Sequence, residues 1–252
     1  MLPYYQYRYD IPCHDKLLTK GTRIIIPKVL QKECLDYIHT GHFGTTKCRE
    51  SAKMSVWWFG ISIQIENVVR NCPRCVEERR NPEETSLKEP IPDKPWQRVA
   101  ADLFKLKKWY LIIIDYYSRF FEIFELTHMR EDTIIGKFKQ TFSRYGIPEV
   151  VRTDNGPQFQ TTFKNFAMTY KFKHITSNPY FPQSNGCAER AAAIAKQLLT
   201  KNQDIYMALL AYKSTPLESG FTPSELLMSR GLRTNLPMIE KKLNETVNVA
   251  NF

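Results

Sequence analysis

A chain of 252 residues that is 42% apolar and 25% charged can build one large domain or two small ones. Its formal net charge of +10 points to a polyanionic partner, nucleic acid before membrane, because a basic field attracts phosphates without reading sequence. No uncharged run is long enough to span a membrane and "MLPYYQYRYD" lacks signal-peptide form, so an intracellular, non-membrane protein is expected.

Residues 1–36 start irregularly, then give a short strand at "TRIIIP", stopped by Pro27, and the start of a helix at "KVLQKECLDYIHT". Residues 37–80 form a compact block holding His39, His42, Cys72 and Cys75. Residues 81–96, "NPEETSLKEPIPDKPW", carry four prolines and read as a stiff connector. The next block spans 97–212. It opens with a strand at "RVAADLF", then two antiparallel strands within "WYLIIIDYYSRFFEIFEL" and an amphipathic helix at "EDTIIGKFKQTFSRYG". "EVVRT" is a fourth strand, "TTFKNFAMTYK" a helix, "FKHITS" a fifth strand, and "CAERAAAIAKQLLTKN" a helix after the loop "PYFPQSNG". "DIYMALLAYKS" and "TPSELLMSRG" are helical, and residues 213–252 form a C-terminal extension and tail. Strands followed by alternating helix and strand define an α/β class: a mixed five-stranded sheet flanked by helices.

His39-x2-His42 and Cys72-x2-Cys75 supply two imidazoles and two thiols, a tetrahedral zinc set. A segment of this length buries little core, so zinc would contribute folding energy directly. Intracellular metal binding also accounts for Cys-x2-Cys better than disulfides do. Cys13, Cys34, Cys48 and His14 look spare, with His14 a weak rival to His39.

Three carboxylates stand out in the larger block. Asp102 lies among apolar residues in a strand, where a buried charge needs a partner or a metal. Asp154 follows the fourth strand in "RTDNGPQF", a strong turn signal that can aim a side chain over a sheet edge. Glu189 begins a helix, where an acid also serves simply to complement the exposed amides. If strands one and four adjoin and the helix crosses them, the three converge and can hold two Mg²⁺ ions for phosphoryl transfer. Asp115 in "IIIDYY" is a competing acid with the same apolar flanks. Lys196, two helical turns after Glu189, shares its face and could meet a phosphate.

With these residues in view, the chain resembles the integrases of gypsy-type long-terminal-repeat retrotransposons and, more distantly, retroviral integrases. The resemblance rests on "IHTGHFGTTK…VWWFG…VVRNCPRC" for a zinc domain. "ADLF…LIIIDYYSRFFE", "VRTDNGPQF", "NPYFPQSNGCAER" and "LLAYKSTPLESGFTPSELLMSRGLRTNLP" carry it for a catalytic core and the segment beyond. It implies an RNase H-like core, catalytic Mg²⁺ or Mn²⁺ on Asp102, Asp154 and Glu189, and structural Zn²⁺ on His39, His42, Cys72 and Cys75. It also implies DNA contacts at Lys196, Arg190, Asn155, Gln183, Ser184 and Asn185. The implied activity is trimming of the element's 3′ ends and joining of those ends to a target duplex, in a homo-multimer in the nucleus.

The chain departs from that pattern at several points. The interval from Asp154 to Glu189 is one residue short, Phe59 and Phe181 replace a common proline and histidine, and "AERAAAIAK" puts alanines on the expected DNA-facing side of the helix. Within these 252 residues the segment after the core is too short for the β-barrel or chromodomain that usually follows in the family, so neither is expected here. These departures keep a rival reading open: a catalytically weak or inactive, retroelement-derived DNA-binding or scaffold protein.

Overall fold

The structure, a computed structural model, describes residues 4–14, 16–77, 91–176 and 186–238. They belong to two compact units, residues 1–81 with 198–252 and residues 82–197.

The first unit begins with more order than its sequence suggests. A 3₁₀ turn at Tyr5–Asp10 precedes a hairpin of β1 (Cys13–His14) and β2 (Leu17–Lys20). Strand β2 pairs antiparallel with β3 (Arg23–Ile25), and β3 pairs parallel with β4 (Val56–Trp57). These strands are two to four residues long, too short to show alternation. One of the tight reversals uses Lys16 at a left-handed φ of 65°, a position sequence does not flag because glycine is the usual occupant. Lys20 Nζ lies 3.3 Å from the Tyr7 ring centroid and 4.2 Å from that of Trp57, so a cation–π pair holds the N-terminal turn against this sheet.

Helices α1 (Lys28–Ile38), α2 (Thr45–Ser55) and α3 (Ile61–Asn71) pack Leu35, Ile38, Ala52, Ile65 and Val69 around Ile24, Ile26, Val56 and Trp58. The short α4 (Pro73–Glu77) follows directly, carrying Cys75.

In the second unit, β5 (Arg98–Lys105), β6 (Trp109–Asp115) and β7 (Phe121–Leu126) form an antiparallel meander. Helix α5 (Glu131–Tyr145) leads to β8 (Val150–Thr153), which runs parallel to β5. Helix α6 (Thr161–Tyr170) leads to β9 (Lys173–Thr176), giving the order β7-β6-β5-β8-β9. The expected mixed five-stranded sheet is therefore present. Phe138 and Phe142 of α5 meet Phe163 and Phe166 of α6, and Phe159 and Phe172 close the same aromatic cluster. That cluster lies beside β8 in sequence and fixes the segment that leaves it.

Helix α7 (Gly186–Lys201) follows, then α8 (Ile205–Lys213), capped by Asp204, and α9 (Pro223–Met228), which opens with a Thr222–Glu225 capping box. Both short helices match the sequence reading. Helix α7 corrects one expectation. Ala188, Ala191, Ala192 and Ala195 are buried, so most of its alanines line the packed side, while Glu189, Arg190 and Lys196 are exposed. Alanine is nearly neutral in a hydrophobicity pattern, so the sequence does not show which face of the helix these residues occupy.

Asp115, the rival carboxylate, is 0% exposed and fully engaged. It accepts hydrogen bonds from the amides of Trp96, Tyr117 and Ser118 at 3.1, 3.4 and 2.9 Å, and from Ser118 Oγ at 2.6 Å. Burial raises its pKa above the ordinary carboxylate value, and these donors pull it back. Its work is to close the β6–β7 turn. Asp115→Ala strands those donors, so a destabilisation of about 1–3 kcal/mol is expected, read as a lower denaturant midpoint with an unchanged slope.

Candidate metal centres

The first site grows from a tight loop after α1. His39 is the C-cap residue of α1, and His42 adopts a left-handed φ of 50° three residues on. Gly41 is required between them, because a Cβ there would sit 2.3 Å from the Phe43 ring. The knuckle Cys72-Pro-Arg-Cys75 turns back on itself through a Cys75 amide to Cys72 carbonyl bond of 3.1 Å. The result is a converging set: ligand atoms of His39, His42, Cys72 and Cys75 all lie within 4.8 Å of one another. Cys75 Sγ is 3.5 Å from His39 Nε2, and Cys72 Sγ is 3.3 Å from His42 Nδ1.

Two imidazoles and two thiols at that spacing are a His₂Cys₂ metal-binding cluster of the zinc type. The electrostatics suit a cation-binding state of the rings. His39 is pushed down to about 4, first by burial, then by the charges of His42 and Lys201, so it stays neutral near pH 7. His42 is lowered by burial, Arg74 and Lys201. Arg74 also donates to the Lys201 carbonyl, a link not visible in the sequence, where 127 residues separate the two.

The second site is built on the sheet. In the β5–β8 pairing Ala100 sits opposite Arg152, and two further residues along each chain lead to Asp102 and Asp154. Asp154 lies just past the end of β8, where its Oδ1 accepts the Gly156 amide at 3.1 Å. Gly156 has an ordinary φ of −61°, so it is not needed for a left-handed turn. Its lack of a side chain gives room: a Cβ would lie 2.6 Å from the movable end of Gln158, at Oε1, and 3.1 Å from Asp154 Oδ1. Below the turn, Thr153 Oγ1 donates to the Asp154 carbonyl at 2.7 Å and lies 2.9 Å from His174 Nε2. His174 is pushed down to about 4 by burial and by Lys164, so it is a neutral support.

Asp102 reports what faces it. Its pKa is raised to about 6, first by burial, against the Leu103 amide, and then by the charges of Asp154 and Glu189, with Lys196 opposing. The structure thus brings Asp102, Asp154, Glu189 and Lys196 into one electrostatic neighbourhood from β5, the β8 turn and α7. Among the described residues, however, the His₂Cys₂ set is the one group of three or more ligand side chains that converges closely enough to enclose a metal. Lys196 Nζ also lies 5.6 Å from the Phe104 ring.

The expected DNA contacts are placed in part. Arg190 is exposed on the first turns of α7, and Asn155 is exposed but tied to Gln160, whose amide donates to Asn155 Oδ1 at 3.1 Å. Gln183, Ser184, Asn185 and Phe181 lie outside the described residues, as do the His14 side chain and residues 81–90 of the connector. Sequence reasoning missed two supporting residues. Cys48, set aside as spare, lies 3.7 Å from His39 Nδ1, and Cys187 accepts from Arg119 at 2.7 Å beside Glu189 in the chain. A single cysteine without a spacing partner carries no signal that could have found either.

An RNase H-like sheet preceded by a His₂Cys₂ cluster defines the class of protein. The integrase zinc binding domain family matches residues 26–81, and the integrase core domain family matches residues 92–182. The chain is homologous to the retroviral and retrotransposon integrases across their zinc-binding domain and catalytic core. It is 32% identical over 248 residues to an uncharacterized protein of Caenorhabditis elegans, covering 93% of this chain and 20% of that protein. It is 31% identical over 142 residues to the Gag-Pro-Pol polyprotein of Mason-Pfizer monkey virus, covering 55% of this chain and 8% of the polyprotein. The chain therefore spans a minor part of these relatives. The fold is shared with a chain of the simian T-cell lymphotropic virus intasome in complex with PP2A regulatory subunit B56 gamma, with TM-score 0.52 and 21% identity over 82% of this chain and 77% of that one.

If the zinc set holds the first unit together, Cys75→Ser abolishes bound zinc, measured by elemental analysis as a drop from about one equivalent to near none. Chelator treatment of the unaltered chain is expected to reproduce the accompanying loss of helical circular dichroism.

Proposed function

We propose that this chain is the zinc-binding and catalytic part of an integrase, a divalent-metal-dependent polynucleotidyl transferase acting on retroelement DNA ends and a target duplex. In this reading residues 37–80 are the zinc domain, 97–212 the catalytic core and 213–252 a helical extension. The observation that carries it is Asp102, a half-buried strand carboxylate whose proton affinity is raised first by burial and then by the charges of Asp154 and Glu189. Three acids held near one another without a cation are electrostatically unfavourable, and that is the condition a divalent ion relieves.

Asp102, Asp154 and Glu189 would hold Mg²⁺ or Mn²⁺, which when bound activates the attacking oxygen and stabilises the leaving one in phosphoryl transfer. The chain's own residues do the positioning. The paired β5 and β8 backbones fix the spacing of Asp102 and Asp154, and the Gly156 amide orients Asp154. Lys196 presents a cation beside the carboxylates, where it can meet a non-bridging phosphate oxygen. In end trimming, water attacks the phosphodiester and a short 3′ fragment leaves. In joining, the new 3′-hydroxyl attacks a target phosphodiester and a target 3′-oxygen leaves. Arg190, Asn155, Gln183, Ser184 and Asn185 are the further DNA contacts of this proposal. Assembly as a homo-multimer on two DNA ends, in the nucleus, completes it. No helix among the described residues is long and apolar enough to cross a membrane.

The rival reading drew support from alanines on the DNA-facing side of α7. Most of those alanines are buried, so that support falls away. The decisive experiment is strand transfer with Mg²⁺ or Mn²⁺ and a labelled duplex ending in the element's own repeat. Asp102→Asn, Asp154→Asn and Glu189→Gln are each expected to reduce joined product at least about a hundredfold while leaving DNA binding intact. Absence of joining by the unaltered chain under any divalent ion, with DNA bound, would leave the scaffold reading standing.

A second expectation concerns pH. A proton on Asp102 competes with the metal, and the folded pKa is about 6. Mn²⁺ affinity, followed by electron paramagnetic resonance, should be flat above that value and weaken by roughly tenfold per unit below it.

A further inference from the structure

Cys48 has no role in the family's ligand set, yet its sulfur is buried at the edge of the His₂Cys₂ cluster. It approaches His39 from the side opposite the other ligands. His39 Nε2 faces Cys75 Sγ at 3.5 Å, while His39 Nδ1 faces Cys48 Sγ at 3.7 Å. The Cys48 thiol in turn donates to the Phe43 carbonyl at 3.3 Å. Phe43 directly follows His42, the second imidazole of the set.

One side chain therefore touches the His39 ring and the backbone of the residue after His42. When a ring binds metal through Nε2, its Nδ1 carries the proton and needs an acceptor, and that acceptor fixes tautomer and ring angle. The usual acceptor is a carboxylate or a carbonyl. Here the only group offered at Nδ1 by any described hydrogen-bond geometry is a sulfur, a weak acceptor that is also a weak donor. The sequence of contacts runs His39 Nδ1–H to Cys48 Sγ, then Cys48 S–H to the Phe43 carbonyl. That carbonyl belongs to the loop in which His42 holds its left-handed φ of 50°.

We infer that Cys48 is a positioning residue of the metal centre, setting the His39 ring through Nδ1 and anchoring the ligand loop at the Phe43 carbonyl. The inference rests on the His₂Cys₂ set binding zinc in the full chain. Cys48 is not itself a ligand: it lies outside the converging group and on the far side of the ring. Helix α2 supplies it, and Cys48, Ala52 and Ser55 are the buried residues of that helix. The role therefore belongs to the packing of α2 against the ligand loop rather than to the ligand motif.

The test uses the full chain with Cys48→Ser, Cys48→Ala and Cys48→Val. Serine keeps a donor and acceptor, alanine removes both, and valine removes both while filling the space. Zinc affinity is measured by competition with a chromogenic chelator, and the same proteins are loaded with Co²⁺ for absorption spectra. Alanine and valine are expected to weaken zinc binding about tenfold and to shift the ligand-field bands, while serine stays within about threefold of the unaltered chain. Thiolate-to-cobalt charge transfer should keep its two-sulfur intensity throughout. Unaltered zinc affinity in both alanine and valine variants overturns the inference, as does a serine variant as impaired as alanine. Loss of about a third of the charge-transfer intensity would make Cys48 a ligand and overturn it too. Failure of the unaltered chain to bind zinc removes the metal centre itself, and the inference with it.

Discussion

The parallel pairing of β5 with β8 is the constraint on which the sheet-bearing unit depends. With Ala100 opposite Arg152, the register carries Asp102 and Asp154 toward the same end of the sheet. A slip of one residue would turn one of the two acids to the opposite face, because side chains alternate along a strand. The apolar residues on both sides prevent that slip. Val99, Ala100 and Ala101 of β5 and Val151 of β8 are buried, and moving any of them outward would expose what the helices cover. Aromatic packing among Phe138, Phe142, Phe163 and Phe166 then holds α5 and α6 against that sheet. The carboxylates are thus placed by hydrophobic burial and pay an electrostatic penalty for it, visible in the raised pKa of Asp102.

The unit that holds the His₂Cys₂ cluster solves a different problem. Its helices are each eleven residues or fewer, and its apolar core is modest. The ligand loop also holds His42 in a left-handed conformation that non-glycine residues adopt at some cost. Metal coordination offsets both deficits, because binding energy available only to the folded state is folding energy. Cys48 and Gly41 shape the loop so that the imidazoles already face the thiols.

Much of this was legible in the sequence, for identifiable reasons. The five strands and α5 announce themselves through runs and periods that the structure reproduces. The zinc set is legible because both ligand pairs carry close spacing. Asp102 and Asp154 are legible as acids where acids need a reason, yet sequence could not separate Asp102 from Asp115. Local hydrogen bonding decides that: four donors consume Asp115, whereas Asp102 accepts its neighbour's amide and otherwise meets charge. The hairpin of β1 and β2 escaped because its strands are too short and Lys16 occupies a glycine-like turn position. The buried alanines of α7 escaped because alanine fits either face. The turn at "DNGP" is legible, but not that Gly156 lies close against the Asp154 carboxylate and donates its amide to it.

The central claim is that Asp102, Asp154 and Glu189 form one divalent-metal centre on this sheet. Anomalous diffraction from crystals of the full chain soaked in Mn²⁺ addresses it directly. The account predicts a manganese peak with carboxylate oxygens of Asp102 and Asp154 at about 2.2 Å and Glu189 turned toward it. A map with a metal peak at the His₂Cys₂ cluster and none beside Asp102 would contradict it.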